Sequence, residues 1–466
     1  MKFNRIMIAA PKSGSGKTTI TCALLEALRE EGKKVVSYKC GPDYIDPMFH
    51  QTVIGVPSKN LDTFFTDAEQ TRQLFVKGCS EDDMAVLEGV MGLYDGLGGI
   101  REEGSSYHLA KVTKTPIILV VDAKGMGRSV AALIAGFLAY DTEHLIKGVL
   151  LNRMSKGYYG ILKPLLEQEL HIKVLGYFPN QKQIHLESRH LGLKIPSEIA
   201  DIQEQLREAA EELKKTVSLS EILELAESAE ELPVLVGSRD KVDYVEKADM
   251  ERQDTPIIAV ARDSAFCFYY EDNLRMLEQF GAKLVWFSPL HNESLPECDG
   301  ILLGGGYPEL YAKQLSENIA MRAAIRQAIA AGIPTVAECG GFLYLHDAIL
   351  NREQHQYEMA GVLHGMCQDT GKLVRFGYIE LEEKESHFLP AGEKIRGHEF
   401  HYYDSTDNGE SCIAIKPTTG RNYPCVICNE RFWAGFPHLY YPSNPAFAEH
   451  FVQQAAHYRK NRGDKQ

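Results

Sequence analysis

The sequence predicts an α/β protein built from two parallel-sheet domains, and three observations lead there. Short apolar runs alternate with helix-like stretches in both halves, a glycine-bearing turn follows the first run at residues 11–19, and 466 residues exceed what one hydrophobic core normally supports. The first run, residues 6–10, leads through PKSGSGKTT into residues 20–31, where Ile20, Leu24 and Leu28 recur every four residues as on one helix face. Gly32 ends that helix. Strands at 35–39, 84–87, 117–122, 147–152 and 174–178, with a helix at 129–140 among the intervening stretches, complete a mostly parallel sheet covered on both faces. Residues 196–232 then read as one acidic amphipathic helix with Ile199, Ile202, Leu206, Ala209 and Leu213 on one side and a solvated face opposite. The polar residues 237–255 read as a linker, so the expected domains are 1–236, including the helical connector 196–232, and 256–466. The second domain repeats the alternation, with strands at 257–261, 283–287, 300–303 and 335–337 and helices through 273–280 and at 321–331.

Composition narrows the function classes. A net charge of −14 with no long basic tract argues against a nucleic acid or an anionic membrane surface as partner, since both demand clustered Lys and Arg. No apolar run approaches the roughly 18 residues that cross a bilayer, and residues 6–10 are too short for a signal peptide's core, so a cytoplasmic location is expected. Ten cysteines scattered over the chain then read as free thiols. Cys425 and Cys428 form a C-x-x-C pair in the strand-like run 423–429, but a structural zinc needs four ligands and no second pair accompanies them; an inert buried pair is favoured.

The turn at 11–19 matches the end of the phosphate-binding pattern G-x-x-x-x-G-K-[ST] at Gly16-Lys17-Thr18, while Pro11 stands where the first glycine belongs. Strand, glycine turn and helix in that order let backbone N–H groups and a helix N-terminus face phosphate oxygens, so Ser13, Gly14, Ser15, Gly16 and Thr19 form the candidate cradle. Lys17 would reach the outer phosphates and Thr18 would hold Mg²⁺. Lys12 reads equally as a second phosphate contact or a surface lysine. Two acidic clusters follow: Asp43 and Asp46 in CGPDYIDP after the second strand, Glu88 and Asp95 in LEGVMGLYDG after the third. Ligands of open parallel sheets bind beyond the strands' carboxyl ends, so these carboxylates converge on the phosphate site and would repel a nucleotide unless Mg²⁺ lay between. For Asp46 and Asp95 taken singly, a turn-forming role beside Pro and Gly is as good.

In the second half, residues 332–345 (GIPTVAECGGFLYL) run strand, tight turn, helix around Cys339. Such an elbow is expected to expose the thiol at a helix N-terminus, lower its pKa and offer the N–H of Gly340 to an oxyanion. The glycines of LLGGGYP, Gly305 among them, could supply a second donor, and His438 in WAGFPHLYY offers a base.

These motifs together resemble the cobyrinic acid a,c-diamide synthase family, the cobalamin-pathway glutamine amidotransferases. APKSGSGKTT, KCGPDYIDPMFH, LEGVMGLYDG, IAVARDSAFCFYYEDNL, LLGGGYPEL, AECGGFLYL and GHEFHYY carry the likeness across nearly the whole chain, and the family's phosphate loop also lacks the first glycine. The resemblance implies a dethiobiotin synthetase-like P-loop domain followed by a class I glutamine amidotransferase domain. It implies that Cys339, activated by His438, releases ammonia from L-glutamine, and that the first domain uses Mg-ATP to make an acyl phosphate on two carboxylates, c and a, of cobyrinic acid. By position it implies Thr18, Glu88 and Asp43 as Mg²⁺ ligands. Asp46 and Asp95 would position substrate, Tyr44 and Ile45 would shape the corrinoid pocket, and Asn152 would contact adenine. The histidines of GHEFH read equally as interface or structural residues. One departure stands out: many amidotransferases carry His-x-Glu, whereas Leu439 and Tyr440 follow His438 here. Cobyric acid synthase is a sister reading, disfavoured by GPDYIDP and SGSGKTT. Hydrogenobyrinic acid or nickel-sirohydrochlorin as substrate and a homodimer are left open, while the intact Cys339–His438 pair speaks against a remote alternative, a P-loop ATPase switch with a binding-only second module.

Overall fold

The computed structural model describes residues 1–180, 188–189, 192–193, 202–233 and 255–463. Two compact units divide the chain, Met1–Arg239 and Asp240–Gln466. The linker expected at 237–255 lies outside the described residues except for its last position.

In the first unit seven strands run parallel: β1 (Asn4–Ala9), β2 (Val35–Cys40), β3 (Ser58–Leu61), β4 (Met84–Glu88), β5 (Ile117–Asp122), β6 (Ile146–Asn152) and β7 (Lys173–Phe178). Their order is β3-β2-β4-β1-β5-β6-β7. Every residue of β2 and β4 is buried, the signature of a sheet covered on both faces, and the burial extends to the polar Ser37 and Lys39 of β2 and to Glu88 at the end of β4. The chain reverses direction of winding at β1, whose carboxyl end carries the phosphate loop and α1 (Lys17–Glu30).

The connector is not one helix but two, Ile202–Thr216 and Leu219–Glu227. Val217 breaks them by bridging to Gly176 of β7, the Ser218 N–H donates to the carbonyl of Leu175 (2.9 Å), and the Ser218 hydroxyl caps the second helix. Ile202, Leu206, Ala209 and Leu213 are buried as their spacing predicts, while Ile199 lies outside the described residues.

The second unit holds a six-stranded sheet in the order Lys283–Phe287, Ile257–Ala261, Gly300–Leu303, Thr335–Glu338, Phe432–Gly435, Ile427–Asn429. Its first five strands are parallel and the last is antiparallel. Adjacent residues serve opposite faces: Leu303 and Ala337 join one core with Phe342, Leu302 and Val336 the other with Trp433. The alternating pattern does not extend through the whole unit. A five-stranded antiparallel sheet runs Asn422–Cys425, Cys412–Ile415, Arg375–Glu383, Lys394–His401, His438–Leu439, and a four-stranded mixed sheet runs Gln356–Glu358, His346–Leu350, Leu363–Asp369, Tyr403–Ser405. The C-x-x-C run is two strands, not one, divided at Val426 with φ 70°, and all ten cysteines are free thiols. No helix among the described residues is long and apolar enough to cross a membrane.

Candidate active site

Two separate sites emerge, one in each unit. At the first, Gly16 takes φ 93° and caps α1, a conformation that suits glycine, and a Cβ there would collide with the Asn152 amide. Asn152, at the carboxyl end of β6, donates from Nδ2 to the Ser15 carbonyl (2.8 Å), and Arg153 Nη2 donates to that of Gly14 (3.2 Å) while pairing with Asp122 (2.8 Å). The loop is thus held from β5 and β6. Lys12, Ser13 and Gly14 form its exposed rim, Thr19 is half-buried, and the Ser15 hydroxyl donates inward to the Lys12 carbonyl (2.9 Å). Lys17 Nζ donates to the carbonyl of Met91 (2.5 Å), a residue with φ 47° in the loop after β4. Burial, then Lys39, brings Lys17 down to about 8.

Beneath the loop lies a buried charge cluster. Thr18 Oγ1 donates to Glu88 Oε1 (2.6 Å), and Lys39 Nζ donates to the same oxygen (2.9 Å) and to Asp46 Oδ2, with Asp43 at 3.9 Å. Register explains the meeting, because Lys39 and Glu88 are parallel cross-strand neighbours on β2 and β4. Burial alone would lower Lys39, but Asp46, Glu88 and Asp43 outweigh it and hold the ammonium well above its ordinary value. Burial raises Glu88 and Asp43; Asp46 ends below its ordinary value because Lys39 overcomes the cost of burial. His50, between Ser37 (2.9 Å) and Glu88 (3.7 Å), is pushed down to about 4 by burial and is neutral. Glu88 Oε2 and Asp46 Oδ1 are buried with no hydrogen-bond partner among the described residues. Three or more His, Cys, Asp or Glu side chains poised for a metal do not occur among the described residues.

Asp95, by contrast, is exposed and accepts from the Gly92 N–H (3.0 Å), and Tyr44 and Ile45 are buried at the start of the short helix Ile45–Phe49. The structure therefore gathers Lys17, Thr18, Asp43, Asp46, Glu88 and Asn152 around the loop, with Asp95 at its exposed rim, near enough for its charge to act on Lys17. Lys39 and His50 are the residues sequence reasoning missed.

At the second site, Cys339 sits at φ 46°, ψ −98° between the strand Thr335–Glu338 and the helix Gly340–Leu345, the strained turn of a nucleophile elbow. Its N–H donates to the Gly435 carbonyl (2.8 Å) of the neighbouring parallel strand, whose own exit leads within three residues to His438. Gly305 abuts the ring edge of His438, and Gly340 packs against the Gly305–Gly306 backbone, so the Cys339 turn, His438 and the glycine turn lie together beyond the carboxyl ends of neighbouring parallel strands. The expectation of an exposed, acidified thiol is overturned. Cys339 is 7% exposed, and burial, then Glu309, pushes its pKa well up despite the Gly340 N–H bonded to it. A six-residue helix whose residues are all buried does not offset desolvation.

His438 is 2% exposed and burial pushes it down to about 3, so the imidazole is neutral at rest. Asn273 clamps its strand, donating to the Leu439 carbonyl and accepting from the Tyr441 N–H (2.8 Å each). Tyr440, where other amidotransferases place glutamate, donates instead to Asp272 (2.9 Å). Glu338 is also buried, its pKa pushed up to about 8 by desolvation, and Tyr441 donates to it (3.4 Å).

Two family descriptions match the chain: the CobQ/CobB/MinD/ParA nucleotide binding domain over residues 6–193 and the CobB/CobQ-like glutamine amidotransferase domain over 257–446. Among curated relatives, the cobyrinate a,c-diamide synthase of Listeria innocua is 40% identical over 95% of this chain and 98% of its own. That of Priestia megaterium is 36% identical over 100% of both chains, and that of Caldanaerobacter subterraneus 38% over 93% and 94%. Nucleotide-binding and amidotransferase machinery joined in that order over the full length of both chains make the conclusion direct: this chain belongs to the cobyrinate a,c-diamide synthase family, amide ligases with a glutamine amidotransferase domain.

Proposed function

We propose that this chain converts the a and c carboxylates of cobyrinic acid to amides, consuming ATP and L-glutamine. One observation supports the reading above the rest: a single chain carries both a phosphate cradle over buried carboxylates and a cysteine elbow beside a neutral histidine.

In the second unit, His438 takes the Cys339 proton as the sulfur attacks the glutamine carboxamide carbon. This general-base step matters because burial disfavours a free thiolate. The N–H of Gly340, and a Gly305 amide, would receive the charge developing on oxygen. The C–N bond then breaks, His438 returns the proton to the departing ammonia, and water hydrolyses the thioester to glutamate.

In the first unit, a carboxylate oxygen of the substrate attacks the terminal phosphorus of ATP, ADP leaves, and ammonia displaces phosphate from the acyl phosphate. Lys17 would release the Met91 carbonyl for phosphate oxygens, and the backbone of Gly14 to Lys17 would cradle them. Asn152 would do double duty, holding the loop through Ser15 and facing adenine. A hydroxyl and carboxylates are the oxygen donors Mg²⁺ prefers, and the unpartnered oxygens of Glu88 and Asp46 fit a cation close by; Thr18, Glu88 and Asp43 would hold it. When bound, Mg²⁺ neutralises phosphate charge. Asp46 and Asp95 would position substrate near Tyr44 and Ile45.

The test is incubation with ATP, L-glutamine and, in turn, cobyrinic acid, hydrogenobyrinic acid and nickel-sirohydrochlorin, with product mass read for one or two amidations. Amide formed only on the other acids would overturn the choice of substrate, and amide on none would overturn the function.

A further inference from the structure

The motif GHEFH places a second histidine against the proposed base. In the antiparallel pairing of Lys394–His401 with His438–Leu439, His398 stands directly opposite His438. Their rings stack with centroids 4.9 Å apart and planes 14° from parallel. His398 is itself 6% exposed and fixed from behind: its Nδ1 lies 3.2 Å from the hydroxyl of Tyr270, which is 1% exposed at the start of the helix Glu271–Gln279. Tyr270 in turn packs edge-on against Tyr440, 5.2 Å between centroids.

A general base must present one ring nitrogen to the thiol in a fixed direction, and misplacement by about 1 Å costs about a hundredfold in rate. In His-x-Glu enzymes a carboxylate two residues on supplies that orientation; here Tyr440 occupies the place and is bonded to Asp272. The ring of His438 is instead bounded on one face by His398 and along one edge by Gly305.

We infer that His398 is a positioning residue for glutamine hydrolysis, its ring, anchored by Tyr270, setting the plane of the His438 imidazole. The role is one of shape and contact rather than charge: burial, then His438, holds His398 well below the ordinary histidine value, so it stays neutral beside a base that must become cationic. The inference rests on the Cys339–His438 reading.

The experiment measures glutaminase kcat and KM, with ammonia-driven amidation as a control, for His398→Ala, His398→Phe, Tyr270→Phe and His438→Ala in the full chain. The expected result is a kcat at least about tenfold lower in His398→Ala, with KM for L-glutamine within about threefold and ammonia-driven turnover unchanged. His398→Phe, which restores a stacking face, recovers most of kcat. The inference is overturned if His398→Ala keeps kcat within about twofold, if the Ala and Phe variants fall alike, or if ammonia-driven turnover drops by the same factor. Should His398→Ala fail to fold, Tyr270→Phe decides: a kcat loss of several-fold at constant KM supports the anchor, and an unchanged kcat overturns it. Full glutaminase activity in His438→Ala would overturn the base assignment together with this role, whereas an inactive His438→Ala beside an unaffected His398→Ala sinks the inference alone.

Discussion

Gly305 lies against the edge of the His438 imidazole so closely that a methyl group at 305 would overlap ring atom Cε1. Gly305→Ala must therefore tilt the ring or shift the glycine turn, and buried overpacking of this kind costs about 1–3 kcal/mol. The expected outcome is loss of glutaminase activity by about a hundredfold with ammonia-driven amidation preserved. Wild-type glutaminase kinetics in this variant would show that the ring edge is not held there.

Lys39 is the sole cation bridging Asp46 and Glu88 in the described hydrogen bonds, and all three are nearly sealed from solvent. Lys39→Met strands two buried carboxylates, so a stability loss of about 3–5 kcal/mol is expected in urea unfolding of the first unit's transition. An unchanged midpoint would contradict the charge accounting.

Asn152 joins the end of β6 to the phosphate loop through Ser15. Asn152→Ala leaves that carbonyl without its partner and opens the space beside Gly16. Removing a buried hydrogen bond costs about 1–3 kcal/mol, so KM for ATP should rise about tenfold or more while glutaminase activity stays at the wild-type level. A KM within twofold of wild type would remove Asn152 from the nucleotide site.

Glu338 carries a pH signature. Its folded pKa, about 8, lies above the ordinary carboxylate value, so the folded state binds more protons than the unfolded one between about pH 4.5 and 8. Its contribution is most favourable at the acidic end and is lost as pH rises through 8. Melting curves of Glu338→Gln against wild type should therefore show the variant gaining relative stability from pH 5 to 8 and no further gain above. A pH-independent difference would mean that Glu338 titrates normally.

How much of this was legible in the sequence depends on the range of the interaction concerned. The β1–loop–α1 unit is local: a buried parallel strand reads as an unbroken apolar run, and the glycine turn has a fixed place beside it. The strand Ser58–Leu61 has no such run and escaped notice. Lys39 escaped for another reason. A lysine in a strand reads as an edge residue, and only the register with Glu88 turns it into the centre of an ion cluster. The two smaller sheets between residues 346 and 439 leave no plain pattern in the sequence because strands such as Leu363–Asp369 are half-exposed, with interrupted alternation. The elbow around Cys339 was found from its glycines, yet the direction of its pKa was not, because the helix terminus is local and the desolvation comes from the whole fold. His398 shows the same limit, since its motif was visible but its stacking on His438 depends on a strand pairing forty residues away.

The central claim is a division of labour between a thiol that liberates nitrogen and a nucleotide site that activates the acid. Turnover of Cys339→Ala with ATP and cobyrinic acid, measured in parallel with L-glutamine and with ammonium chloride as nitrogen source, tests it most directly. The account predicts amide formation near the wild-type rate with ammonium and none above background with L-glutamine; equal loss with both nitrogen sources, or continued synthesis from L-glutamine, would contradict it.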